Sequence, residues 1–223
     1  MILLSIDTST RYAGVAIADG ERVLVEDAWC SQQNHGAELL PAAMALMEQV
    51  GRGIRDLTHL AVALGPGGFS ALRVGISTAK GLALPRRLPV AGISTFDVEA
   101  APHFGVDAPL YAVLPAGRGE VAWARYGEAA AATRQLDEIG LASPGDLIAS
   151  APERARFCGE GALLLVGHAS AASLLSGPPP TRRPGVLARL ALDRFAAGQV
   201  GALDALEPIY ARAPSISTPR SPR

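Results

Sequence analysis

The stretch LAVALGPGGFSALRVGISTAKGLAL, residues 60–84, decides how this chain is read. It begins with an apolar run at 60–64, turns through Gly65-Pro66-Gly67-Gly68, and goes on with Leu72, Ile76, Ala79 and Ala83 three or four residues apart. Such a run bounded by glycine and proline predicts a strand, and the spacing after it predicts one face of a helix. A strand, tight loop and helix in that order aim backbone amides and the positive helix end beyond the strand, a geometry suited to an anion or a carboxylate. Ser70 is placed to cap the helix. Glycine costs about 1 kcal/mol relative to alanine at an exposed helical position, so Gly75, Ala79 and Gly81 predict a second backbone close by. The loop is not a nucleotide-triphosphate P-loop, because Lys80 lies deep in the helix and is followed by Gly81. It also lacks the dinucleotide-binding spacing.

Toward the N-terminus, residues 2–6 form an apolar strand that ends in Asp7-Thr8-Ser9-Thr10. Residues 12–18 and 22–28 read as two more strands joined by an Asp19-Gly20 hairpin turn. In an actin-like or sugar-kinase-like half-domain the first turn carries an acid and hydroxyls near the nucleotide phosphates or their metal, which Asp7 would supply. The alternative is a local role, with Asp7 capping the turn through the amides of Ser9 or Thr10. Residues 32–50 carry Leu39, Leu40, Ala43, Leu46, Met47 and Val50 in a broad helical stripe. Pro41 is expected to kink or loosen its first turns, and Met44 and Met47 to fill a core or an interface. His35 stands at its entrance with Glu38 three positions on, but position 39 is a leucine, so no metal-binding histidine pair forms. With a strand at 90–93 and a helix capped by Ser94, the first hundred residues read as βββαβαβα.

A second unit starts near Pro109. Residues 110–114 and 121–126 are strands around Gly117-Arg118-Gly119, residues 129–136 are read as an edge strand, and Ser143-Pro144 as the start of a short helix. Residues 157–166 are expected to hold a strand or two. Pro178-Pro179-Pro180 and Arg182-Arg183-Pro184 read as a stiff surface connection, followed by a helix over 186–197 that Gly198 ends. Of the chemically capable residues, only Asp7, His35, Glu38 and Glu120 stand out. No G-x-S-x-G nucleophile elbow occurs, and no second phosphate loop follows the strand at 110–114.

The composition bounds the classes. The 223 residues carry a formal charge of -1, with 49% hydrophobic and 18% charged. That suits one large globular domain or two small ones, and gives no overall attraction to nucleic acid. Cys30 and Cys158 are too few for a disulfide scaffold. No leader or apolar segment of membrane-spanning length is read, so a cytoplasmic location is expected.

The segments ILLSIDTST at 2–10, ALGPGGFSALRVGISTAKGLAL at 63–84, GISTF at 92–96, RGEV at 118–121 and EPIYAR at 207–212 occur in that order. Together they resemble the bacterial TsaB (YeaZ) family of tRNA threonylcarbamoyladenosine biosynthesis. The resemblance implies an α/β protein with the actin-like ATPase (ASKHA, ribonuclease H-like) fold, in two subdomains at 1–104 and 105–213, each a mixed sheet with packed helices, and a flexible tail at 214–223. It implies a non-catalytic scaffold or activating subunit that works through its paralogue TsaD, which transfers threonylcarbamoyl to N6 of adenosine 37 in tRNAs reading ANN codons. TsaE, a small ATPase, would join the complex, tRNA would be met through it, and the isolated chain would form a homodimer.

No catalytic residue, metal or cofactor is implied for this subunit itself; ATP and a divalent metal belong to the assembled complex. The partner interface carried over comprises His35, Glu38, Leu39, Ala43, Met47, Leu72, Gly75, Ile76 and Ala79, and the nucleotide candidates are Asp7, Thr8, Gly67 and Gly68. Pro115, Gly117 and Ala122 depart from the family's DARRGEVY hairpin, so no ligand role is carried over to it. The competing expectation is an actin-like ATPase or small-molecule kinase, and a protease reading lacks both nucleophile and metal pair.

Overall fold

The computed structural model describes residues 1–127, 136–170, 173–200 and 203–212. Its first sheet has the order β3-β2-β1-β4-β5, built from β1 (Ile2–Asp7), β2 (Tyr12–Asp19), β3 (Arg22–Cys30), β4 (His59–Gly65) and β5 (Val90–Ser94). β1, β2 and β3 pair antiparallel, while β4 and β5 run parallel to β1. The hairpin pairs Asp19 with Arg22, so its two loop residues are Gly20 and Glu21, one position beyond the expected turn, and Gly20 takes the left-handed φ of 57° that such a turn requires.

β1 is buried along its whole length, and its alternation decides which helix covers which face. Leu4 and Ile6 point to α1 (His35–Gln49) and α2 (Phe69–Ala83), where they meet Leu39, Ala43, Met47, Ile76 and Ala79. Leu3 points the other way, with Ala61, Ala91 and Ile93, onto α5 (Pro184–Ala196) through Leu187, Ala188 and Ala191. Each buried leucine or isoleucine contributes on the order of 1.5–3 kcal/mol, so one face depends on α1 and α2, which lie among the sheet's own strands, and the other on a helix distant in sequence. The helix over 184–196 thus returns to the first sheet although it lies late in the chain.

The second sheet has the order β8-β7-β6-β9, from β6 (Leu110–Gly117), β7 (Glu120–Tyr126), β8 (Leu136–Ala142) and β9 (Arg156–Cys158). It repeats the first four strands of the other sheet: three antiparallel strands, then one parallel to the first. Leu110, Ala112 and Leu114 pack on α3 (Thr95–Ala100), and Tyr111 and Val113 face the side where α4 (Pro144–Ser150) contributes Leu147. The expected strand at 129–136 lies almost wholly outside the described residues, and the tail at 214–223 entirely so. Ser94 and Ser143 cap α3 and α4 by accepting from Phe96 N and Asp146 N. Ser70 does not cap α2; the helix starts at Phe69 and Gly68 holds the capping position. This is a two-sheet α/β architecture in which the second sheet repeats the strand pattern of the first.

Candidate functional site

The seam between the two sheets holds a buried ionic cluster around Arg182. Asp7 ends β1, and its Oδ1 accepts from Ser9 N at 2.8 Å and Ser9 Oγ at 2.5 Å, the local cap that the turn chemistry anticipates. Its Oδ2 accepts from Arg182 Nε at 2.8 Å. Arg182 Nη1 donates to Glu99 Oε1 at 2.9 Å and Glu160 Oε2 at 3.1 Å, and Nη2 to Thr10 Oγ1 at 2.7 Å and Tyr12 O at 3.3 Å. A guanidinium has five N–H donors, and each has an acceptor here. Glu99 Oε1 also accepts from Thr181 Oγ1 at 2.7 Å and Glu160 N at 3.0 Å. The reading of 178–184 as a surface connection therefore fails at Arg182, whose side chain is only 4% exposed. A proline-rich local sequence says nothing of carboxylates 83 and 175 positions away.

One cation faces three carboxylates in this seam. Burial by itself would depress the Arg182 guanidinium, but Asp7, Glu99 and Glu160 outweigh it and its pKa is raised. Burial pushes the Glu99 carboxyl up, against the pull of Arg182 and Thr181. Glu99 and Glu160 were not singled out by sequence reasoning. The available signal for Glu99 is that it sits in the helix TFDVEA between Val98 and Ala100, both of which are buried.

The structure brings the four nucleotide candidates together but occupies each within the chain. Asp7 is engaged as above. Thr8 Oγ1 donates to Ala71 O at 2.7 Å, and Gly68 N to Ser9 O at 2.7 Å. Gly67 lies so close to Ser9 O that a Cβ would overlap it. A divalent metal at the first turn needs an open carboxylate, and both Asp7 oxygens are taken, so the residues as placed do not fit that ion. Beside the loop a cleft of about 580 Å³ opens toward Pro115 and Gly117. The C-terminal segment borders it: Ile209 N donates to Leu64 O at 2.7 Å, Tyr210 stacks on Phe69 with centroids 5.2 Å apart, and Arg212 pairs with Glu120. The candidate Glu120 is thus held by this strap.

The expected interface residues need correction. Leu39, Ala43, Met47, Leu72, Gly75, Ile76 and Ala79 are all buried inside the chain. Periodicity marks an apolar face without saying what covers it, and here the chain's own sheet does. His35 is buried too, its Nε2 2.9 Å from Thr10 O, and Glu38 accepts from Trp29 Nε1 at 2.9 Å. Hydrogen bonds from Ser31 and Trp29 hold the Glu38 carboxyl below its ordinary range. The outward faces of the same helices carry Leu40 and Met44, 41% and 55% exposed, and Phe69 at 42%, with Leu84 at 67% just past α2.

A family profile described as "TsaD: tRNA N6-adenosine threonylcarbamoyltransferase" matches residues 29–170. The tRNA threonylcarbamoyladenosine biosynthesis proteins TsaB of Bacillus subtilis and Escherichia coli are 31% and 33% identical, over 54% and 63% of this chain. This chain belongs to that family, on its TsaB (YeaZ) branch. The matches span 53% and 58% of those two TsaB proteins. The structure of YeaZ from Pseudomonas aeruginosa superposes with a TM-score of 0.79 at 23% identity, over 94% of this chain and 99% of that one, so the TsaB-branch fold holds across nearly all of both. Among the described residues no helix is long and apolar enough to cross a membrane.

Proposed function

We propose that this chain is a non-catalytic subunit of tRNA threonylcarbamoyladenosine biosynthesis, a cytoplasmic scaffold that activates a TsaD partner carrying the transfer chemistry. The observation that carries this reading is the engagement of Asp7. An ATPase or kinase of this architecture needs that carboxylate free for a metal or nucleotide, and here Ser9 and Arg182 take both of its oxygens. The chain then needs no nucleotide or metal of its own, and ATP serves the assembly. What it offers a partner is a surface: the outward apolar side chains of α1 and α2, of the kind that marks protein contacts. TsaD is the partner inferred for this face, with homodimerisation competing for it, TsaE joining the pair and tRNA met through the complex.

The test is to mix the purified chain with TsaD from the same organism, measure mass by size-exclusion chromatography with light scattering, and assay threonylcarbamoyl transfer with and without each protein and TsaE. A one-to-one complex, with transfer that needs both chains and no ATP turnover by this chain alone, is the expected result. ATP hydrolysis by the pure chain without any complex would replace this reading by the ATPase or kinase one.

A further inference from the structure

We propose that Arg182, with Asp7, Glu99 and Glu160, is a clasp that fixes the angle between the two sheets, an internal cation filling the seam where a two-lobed fold opens. The inference rests on geometry alone and is independent of the proposed function. Asp7 and Thr10 belong to the end of β1 and the turn after it, in the first sheet. Glu160 follows β9 and so moves with the second sheet. Glu99 sits on α3, which follows β5 of the first sheet and packs on β6 of the second. Arg182 itself lies where the chain leaves the second sheet, after Leu175 N donates to Phe157 O at 2.8 Å, and begins α5 on the first.

The charge balance favours one geometry over a range of openings. Removing the guanidinium from the seam leaves three close carboxylates, two of them at most 4% exposed, without their cation. A buried ionic group is weak evidence for stability, but it penalises every arrangement that breaks its hydrogen bonds. Sliding either sheet by an ångström or two would break several of the five bonds together. The seam therefore stays shut or opens as a unit, and the Ile209–Leu64 and Arg212–Glu120 contacts hold the cleft at a second point.

The test is a distance measurement between spin labels on Cys30, exposed at the end of β3, and on Ala149→Cys, exposed on α4; Cys158 is buried. The labelled parent is expected to give one narrow distribution. In Arg182→Ala it should broaden about twofold, as for a released hinge, and millimolar ethylguanidinium, but not urea, should narrow it again. Glu160→Gln, which weakens only the tie to the second sheet, should broaden it less. Parent-like widths in the folded variants, with near-ultraviolet circular dichroism intact, would overturn the clasp. If Arg182→Ala does not fold, a parent-like width in Glu160→Gln overturns it alone.

Discussion

Gly75 of α2 lies directly against Thr8 at the end of β1, and a Cβ placed on it would fall inside van der Waals contact of Thr8 Oγ1, the atom that donates to Ala71 O. The glycine serves the approach of this helix to its own sheet. Gly81, on the same helix, has nothing within 4 Å of such a Cβ. The two glycines therefore respond oppositely to the same substitution. Gly81→Ala should stabilise the fold by up to about 1 kcal/mol through helix propensity. Gly75→Ala should lose about 1–3 kcal/mol to overpacking, outweighing that gain. Urea unfolding of both variants reads the difference in sign.

The outward and inward methionines of α1 separate association from folding. Met44→Glu, at a position 55% exposed, should leave the melting temperature within a few degrees and abolish self-association or partner binding. Met47→Glu, at 2%, should destabilise the monomer by several kcal/mol, about the cost of an unpaired buried charge. Ala79 is fully buried as well, so a charged residue there tests the core and not the interface. Light scattering and thermal melts on the same samples distinguish the two effects.

Glu99 gives the stability a pH dependence of definite sign. Its folded pKa is raised above that of an ordinary glutamate because burial opposes the charged form. The folded state therefore holds that proton more tightly than the unfolded chain. Glu99 contributes stability that is fully present below the unfolded pKa and is lost as pH rises through the folded one. Glu99→Gln retains an acceptor for Arg182 and Thr181 without the charge, so its stability relative to the parent should grow from pH 4 toward neutrality. Denaturant midpoints across that range check it; a difference that shrinks with pH contradicts the assignment.

The C-terminal strap is open to a backbone test. Ile209→Pro removes the N–H that donates to Leu64 O, leaving a carbonyl whose loss of partner costs on the order of 1–3 kcal/mol. We expect faster trypsin cleavage after Arg212 with most of the global stability retained, read by timed digestion beside a thermal melt.

The element order was legible because its signals are local. The apolar run of β1, the glycine loop after β4, and Ser94 and Ser143 as caps all speak through neighbours a few residues apart. The Asp7–Ser9 cap was legible for the same reason. Arg182 was not, because its partners lie 22, 83 and 175 positions away and a charge beside three prolines reads as solvent-facing. The stripe on Leu39, Ala43 and Met47 was visible, but whether a sheet or another subunit covers it is a property of the assembled fold. The placement of Ser70 failed by two residues because Gly68, with its extended backbone, starts the helix without a side-chain cap.

The return of α5 to the first sheet has a consequence for synthesis. The surface formed by Leu3, Ala61, Ala91 and Ile93 is covered by residues 187–191, so it remains bare while the whole second sheet is being made. A nascent chain of the first hundred residues has one dressed face and one naked one, a state prone to mispairing. Completion waits on contacts of long sequence separation, which slow folding. The first half of this protein is thus the first to be translated and among the last to be finished.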